Sequence, residues 1–297
     1  MTFTIRKRNS AVLLTIAFFG SLVFVQHYRN LAFSSIWDIQ HNDNTFESKP
    51  EPKACDKSDD YCFTYRSEAK LAFLTSYFQA DNVERKGELD ICLASLFGCQ
   101  VLDQIHVLIE KNDIPALPSI AAESPKLRIS IIKKRPLMGD FIQYACDHLQ
   151  GYRVLYANSD ISYDLTLEYF KKMSDKVFDN TFYAISRWWL TDNGMTPSPY
   201  PEWGSYDTFV FSPKTLCQDK TKLKEIVSNL NYTLGISGAE NRLLYEVKRQ
   251  YPELQMINPV YTVKTVHHHN SPYRAKNYDD YVHKGGKSVT IEPPFIV

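Results

Sequence analysis

Between Lys70 and Ala157 short apolar runs alternate with amphipathic ones, and this alternation restricts the possible folds more than any other feature of the chain. Lys70–Phe78 (KLAFLTSYF) reads as a first strand. Glu84–Phe97 then sets Leu89, Cys92, Leu93 and Leu96 at helical spacing. Gln104–Ile109 and Leu127–Ile132 are short apolar strands. Asp140–Leu149 is a helix with Phe141, Tyr144, Ala145 and His148 on one face, and Arg153–Ala157 is a further strand. Strand, helix, strand, strand, helix, strand predicts an α/β domain: a mainly parallel, Rossmann-type sheet flanked by helices on both faces. Ligands of such sheets sit outside the carboxyl ends of the strands.

Asn158-Ser159-Asp160 follows directly on one of those ends. These residue types also favour turns through side chain to main chain bonds, so turn former and ligand holder both stand open for Asp160. Farther on, Tyr183–Ser186 reads as a strand leading into Arg187 and Trp188, and Thr208–Phe211 as a strand directly after Asp207. The intervening residues 190–205 carry three prolines and two glycines and read as a mobile lid or an insertion. Thr221–Leu230 is a helix. Asn241–Arg249 is an amphipathic helix opened by Gly238-Ala239-Glu240, and residues 257–266 form a last strand running into His267-His268-His269.

Several kinds of chemistry are not supported. There is no GxGxxG after the first strand, no GxxxxGK[ST], no GxSxG and no HExxH. Lys plus Arg equals Asp plus Glu at 34 each, which gives no basis for a nucleic-acid partner. What remains is the set of polar residues at the predicted strand and helix ends. A nucleotide diphosphate needs its charge neutralised, and a divalent ion held by oxygens and an imidazole does this while keeping positions open for phosphate. Asp160, helped by Asn158, and one of the histidines would suffice for Mn²⁺ or Mg²⁺. In an extended segment His267 and His269 share a side, so they act together or not at all. Arg187 can pair with phosphate as a planar fork, and Trp188 can stack on a sugar or base. Asp207 and Glu240 are the candidate base or acceptor clamp, with Asn241 beside Glu240 as an acceptor contact. Asp140 fits a base or ribose contact, or an N-cap.

The N-terminus predicts where such chemistry takes place. Arg6-Lys7-Arg8 precedes the uncharged run Ala11–Val25. Basic residues before an apolar span keep the N-terminus in the cytosol. The expected organisation is a cytoplasmic tail at 1–10, a transmembrane signal-anchor at 11–26, a polar stem at 27–66 and a catalytic domain at 67–297. A cleaved signal peptide is the competing reading. The six cysteines then face an oxidising compartment, where a Cys55–Cys62 bridge would staple the stem, and Asn231-Tyr232-Thr233 is a usable sequon.

Taken in order, YANSDISYD, AISRWW, GSYDTFVF, LGISGAENRLLYEVK and NPVYTVKTVHHHNSPYR resemble a family of glycosyltransferase-like proteins with the GT-A, nucleotide-diphospho-sugar transferase fold. The resemblance spans roughly residues 70–275. It implies a Golgi or ER type II membrane enzyme that transfers a sugar from a nucleotide-sugar donor to a glycan or glycoprotein. It also implies an acidic motif after a core strand, often Asp-x-Asp, and a C-terminal histidine completing a metal site at Asp160 with His269 or His267. Asn158 stands where the first Asp of that motif would be. An inactive glycan- or partner-binding relative is the alternative that this departure favours.

Overall fold

The computed structural model describes residues 69–191, 194–197, 205–236, 238–268 and 289–291. The expected anchor and stem, Cys55, Cys62 and His269 lie outside these residues. Among the described residues no helix is long and apolar enough to cross a membrane.

The strands are β1 (Leu71–Tyr77), β2 (Gln104–Glu110), β3 (Leu127–Ile132), β4 (Arg153–Ala157), β5 (Ile161–Tyr163), β6 (Thr181–Ser186), β7 (Trp188–Thr191), β8 (Gly194–Pro197), β9 (Tyr206–Phe211), β10 (Gln255–Ile257) and β11 (Thr265–His267). The helices are α1 (Val83–Gly98), α2 (Met138–His148), α3 (Glu168–Lys172), α4 (Asp175–Asp179), α5 (Pro213–Leu216), α6 (Lys220–Asn229) and α7 (Ala239–Gln250). A seven-stranded sheet runs in the order β10-β6-β9-β4-β1-β2-β3, and a four-stranded sheet in the order β5-β11-β7-β8. In the large sheet β1, β2, β3 and β4 pair in parallel, as do β6 and β10. Only β9 is reversed, antiparallel to both β4 and β6.

Burial on both faces explains the unbroken apolar strands. Ala72 and Leu74 of β1, with Val154 and Tyr156 of β4, face the core under α2, α6 and α7. Leu71 and Phe73, with Leu155 and Ala157, face the opposite core, which α1 closes with Leu89, Leu93 and Leu96. Gly139 lets α2 lie against α6: a Cβ there would fall 2.4 Å from the Val227 carbonyl oxygen. Cys146 of α2 and Cys217, just after α5, form a disulfide with Cα atoms 5.5 Å apart.

The last part of the chain differs from the sequence expectation. Residues 257–266 are not one strand: β10 extends the large sheet, and β11 joins the small one after an irregular passage. Within 190–205, Gly194–Pro197 pairs back on Trp188–Thr191 as a hairpin. Residues 192–193 and 198–204 lie outside the described residues.

Candidate functional site

The strand order places a crevice at the carboxyl ends of β1 and β4. The chain builds outward from β1 through β2 to β3, then returns to β1's other side with β4. Such a reversal is where open α/β sheets bind ligands. Because β9 is antiparallel, its first residues lie at this same edge. Thr208 is opposite Ala157, and the Asn158 amide donates to the Asp207 carbonyl at 3.2 Å. The small sheet then crosses the edge. His267 of β11 pairs with Ile161 of β5 on one side and with Trp189 of β7 on the other. Three segments distant in sequence are thereby brought to one place.

Asp160, Asp207 and His267 are buried there. The Asp207 carboxylate is held by Arg187 through Nε at 2.7 Å and Nη2 at 2.9 Å, and it accepts from Asn158 Nδ2 at 3.0 Å. Arg187 also donates to Ser205 Oγ at 2.5 Å and faces His267 Nδ1 at 3.2 Å. A guanidinium only donates. His267 Nδ1 therefore accepts, its proton resides on Nε2, and Nε2 points at Asp160 Oδ2 3.2 Å away. That same Oδ2 accepts from Arg85 Nη2 at 2.9 Å, and Arg85 Nη1 reaches Glu88 Oε2 at 2.8 Å. The neighbouring His268 donates its main-chain N–H to the Asp160 carbonyl, and its Nε2 lies 2.8 Å from Ser162 Oγ. Burial holds the His268 pKa below the usual imidazole range, partly offset by the Asp160 charge.

Glu240 opens α7, whose preceding Gly238 adopts φ 84°, a conformation that favours glycine. Burial pushes the Glu240 pKa up to about 7; the nearby Asp207 charge adds to the shift, while its own backbone N–H and Arg187 oppose it. Asp207 and Glu240 thus share one electrostatic environment but differ in kind. Asp207 is clamped by a bidentate arginine, whereas Glu240 is poised to exchange a proton near neutral pH.

Not every candidate joins this group. Asp140 accepts the Leu137 N–H at 2.8 Å and caps α2 in an exposed position. Trp188 donates its indole N–H to the Val260 carbonyl at 2.7 Å. Trp189 lies with its ring 5.5 Å from the Arg187 guanidinium carbon and 6.1 Å from the His267 ring. Asn241 Nδ2 donates to the Val289 carbonyl at 3.2 Å, fastening residues 289–291, which Tyr206 also holds through its hydroxyl at Ile291. Arg85, Glu88, Ser205 and Trp189 are members that the sequence reading missed. Arg85 and Glu88 carried a usable signal, an i, i+3 charge pair in the first two turns of the helix that follows β1.

Among the described residues no group of three His, Cys, Asp or Glu side chains is placed to hold a metal ion. Two of the three expected ligands, Asp160 and His267, are in contact, but each is already engaged by an arginine. The donor set as folded does not fit a divalent cation, and His269 lies outside the described residues.

No protein-family model and no curated protein sequence matches the chain. Its mixed α/β architecture, with a largely parallel sheet, fits the GT-A fold that the motif order implied. Solved structures similar to it include the mannosyltransferase PcManGT from Pyrobaculum calidifontis, in complex with GDP-Man and Mn²⁺. That likeness is at 11% identity and TM-score 0.48, over 83% of this chain and 68% of the other. GalNAc-T7 with UDP, GalNAc and Mn²⁺ is similar at 8% identity and TM-score 0.47, over 68% of this chain and 44% of that one. The 4-diphosphocytidyl-2C-methyl-D-erythritol synthase of Anaerococcus prevotii is similar at 11% identity and TM-score 0.43, over 66% and 89%. Likeness at this level assigns no role to any residue of this chain.

Proposed function

We propose that this chain is a type II membrane glycosyltransferase that moves a sugar from a nucleotide-sugar donor to a glycan or glycoprotein acceptor. The convergence of Asn158, Asp160, Arg187, Asp207 and His267 on the carboxyl edge, at the sheet's reversal point, carries this reading. Glu240 stands beside it with a pKa near working pH. In an inverting transfer Glu240 takes the proton of the acceptor hydroxyl as that oxygen bonds to the anomeric carbon and the bond to the diphosphate breaks. A base is most effective when its pKa lies near the operating pH. Asp207 acts through Arg187, fixing the guanidinium at the edge where the leaving group departs. Asn158 in turn fixes Asp207.

A metal-dependent form of this reading, with Mn²⁺ or Mg²⁺ at Asp160, His267 and His269, is the competing one. It requires Arg85 and the His267 proton to leave Asp160 first.

The proposed setting is the Golgi or ER membrane, with residues 11–26 as anchor, 27–66 as stem and the catalytic domain in the lumen. The Cys146–Cys217 disulfide supports an oxidising compartment, and Asn231 of the sequon is exposed. Protease added to intact microsomes should spare the C-terminal domain; its digestion there would remove the lumenal assignment.

The activity is tested with the full-length chain in detergent against a panel of nucleotide sugars, first by thermal shift. A bound donor at a hundredfold excess over Kd stabilises by about 2.7 kcal/mol. Nucleotide release is then followed with and without glycan acceptors. Turnover of one donor that Glu240→Gln abolishes is the expected result. Glycan binding with no donor binding would leave a catalytically silent, lectin-like protein.

A further inference from the structure

We propose that Arg85 is the residue that meets the donor's diphosphate, a fixed cation standing where the motif order would put a divalent ion. This rests on the nucleotide-sugar reading above and names how that site holds its donor.

The order of charges across the edge carries the argument. The side chains of Asp160, Asp207 and His267 are 3%, 1% and 2% exposed, while those of Arg85 and Arg187 are 18% and 16% exposed. The carboxylates lie beneath and the guanidiniums lie toward the cleft. A ligand arriving from solvent meets arginine first, which suits an anion and screens the carboxylates from a cation. To reach Asp160, a metal ion would have to displace Arg85 from a clamp of two carboxylates, at 2.9 Å to Asp160 and 2.8 Å to Glu88. It would also have to displace the proton that His267 Nε2 directs at Asp160.

The two arginines are not equivalent. Arg187 commits three of its five N–H groups inward, to Asp207, Ser205 and His267, and its Nε lies 2.7 Å from the second Asp207 oxygen as an ion-pair contact. Arg85 directs two, to Glu88 and Asp160. Three N–H groups of a planar fork, held in orientation from below, are what bidentate phosphate recognition requires. Three carboxylates, with Glu88, lie under the two guanidiniums. A phosphate oxygen at hydrogen-bond distance from Arg85 is roughly twice as far from Asp160 and Glu88 behind it, so the two carboxylates offset the Coulomb attraction of the one guanidinium. The directional N–H bonds of the fork are what favour phosphate there.

Inorganic diphosphate is the probe, titrated calorimetrically into the full-length chain in detergent, once in EDTA and once with Mn²⁺. Binding in EDTA, with an affinity within about threefold of that in Mn²⁺, is the expected result. Arg85→Met should weaken it by about tenfold or more, with Arg85→Lys falling between, since a lysine keeps the charge and loses the fork. Binding that requires Mn²⁺ would overturn the role of Arg85 and leave the donor reading intact. Arg85→Met binding as tightly as the parent would do the same. Absence of binding in both conditions would overturn both. The comparison of EDTA with Mn²⁺ uses the unaltered chain, so it decides the matter even if Arg85→Met fails to fold.

Discussion

The two ends of β4 carry opposite arrangements of the same ion pair. At the amino end, Arg153 is buried and its partner Asp175 is open: their side chains are 7% and 50% exposed. The Arg153 guanidinium donates to the Phe170 carbonyl, to the Met173 carbonyl at 3.0 Å and to Asp175 at 2.8 Å, and it lies 4.5 Å from the Phe178 ring centroid. It ties the main chain around α3 and α4 to the sheet. At the carboxyl end the burial is reversed, with Asp160 and Asp207 beneath Arg85 and Arg187. A buried charge is tolerated only when it is fully bonded. Arg153 meets that condition with main-chain carbonyls and its donors are directed inward. At the other end the charges needing burial are carboxylates. Of the two cations above them, Arg187 is turned mainly onto its partners, and Arg85 keeps donors toward the cleft. One arrangement fastens a fold and the other presents a surface.

The largest effect expected at the carboxyl end is on the proton-transfer group. Glu240→Gln should lower turnover by about 10²- to 10⁴-fold. The base must be ionised, so kcat/KM of the parent should rise as pH passes about 7 and level off above it. A pH–rate profile that keeps this rise in the variant would assign it to another group. Stability carries the opposite sign. The folded pKa lies above the ordinary carboxylate value of 4.5, so the native state holds more protons between pH 4.5 and about 7 and stability falls as pH rises through that window. Glu240→Gln should remove this fall, which urea melts at pH 5 and pH 8 would show.

Next come the two arginines, which test the comparison directly. Arg153→Met removes a buried cation and strands the Phe170 and Met173 carbonyls, while Asp175 stays open to water. It should cost about 2–5 kcal/mol in denaturant melts while leaving diphosphate affinity of the folded fraction unchanged. Arg187→Met should lower turnover about a hundredfold, as loss of a transition-state charge contact does. Because it leaves the buried Asp207 carboxylate without its cation, its stability loss should be at least as large. Turnover and diphosphate affinity are therefore the readouts that separate the two variants. If the two variants exchanged these outcomes, the distinction between a fastening end and a presenting end would fail.

How much of this was legible depended on the length and charge of each segment. The core strands β1, β2 and β4 were readable because both faces are buried and their sequences are almost wholly apolar, and the edge strand β3, with Ile129 and Ile131 exposed, from its apolar run alone. Asn158 and Asp160 could be placed because they follow such a run. A residue just before a strand falls at the amino edge of an all-parallel sheet, and nothing in YDTFVF shows that β9 is reversed; that reversal is what brings Asp207 to Asn158. The small sheet was largely missed, since β5, β7, β8 and β11 are three or four residues each, too short to show a period. It closes over Asp160, which is 2% exposed. Asp160→Asn should therefore cost stability as well as activity, where a solvated aspartate would have been replaced without loss. Arg85 and Glu88 read as the solvated face of an amphipathic helix. The Cys146–Cys217 bridge joins residues 71 apart that nothing local connects.

The smallest expected effect separates two adjacent tryptophans. In an extended strand alternate residues share a side, so Trp189 rather than Trp188 accompanies Arg187. Trp189 lies with its ring 5.5 Å from the guanidinium carbon and 6.1 Å from the His267 ring. The Trp188 indole N–H is committed to the Val260 carbonyl at 2.7 Å, with the Lys264 ammonium 5.5 Å from its ring. Trp189→Leu keeps an apolar side chain but removes a cation–π contact worth about 0.5–2 kcal/mol. It should loosen Arg187 and raise the donor KM several-fold, with little change in melting temperature. Trp188→Leu removes the partner of a main-chain carbonyl. It should lower stability by about 1–3 kcal/mol and leave KM of the folded enzyme as it was. Measuring KM and melting temperature for both variants isolates the two contributions. A donor KM that responds to Trp188→Leu and not to Trp189→Leu would give the stacking role to Trp188 and would mean that the cleft opens on the other side of β7.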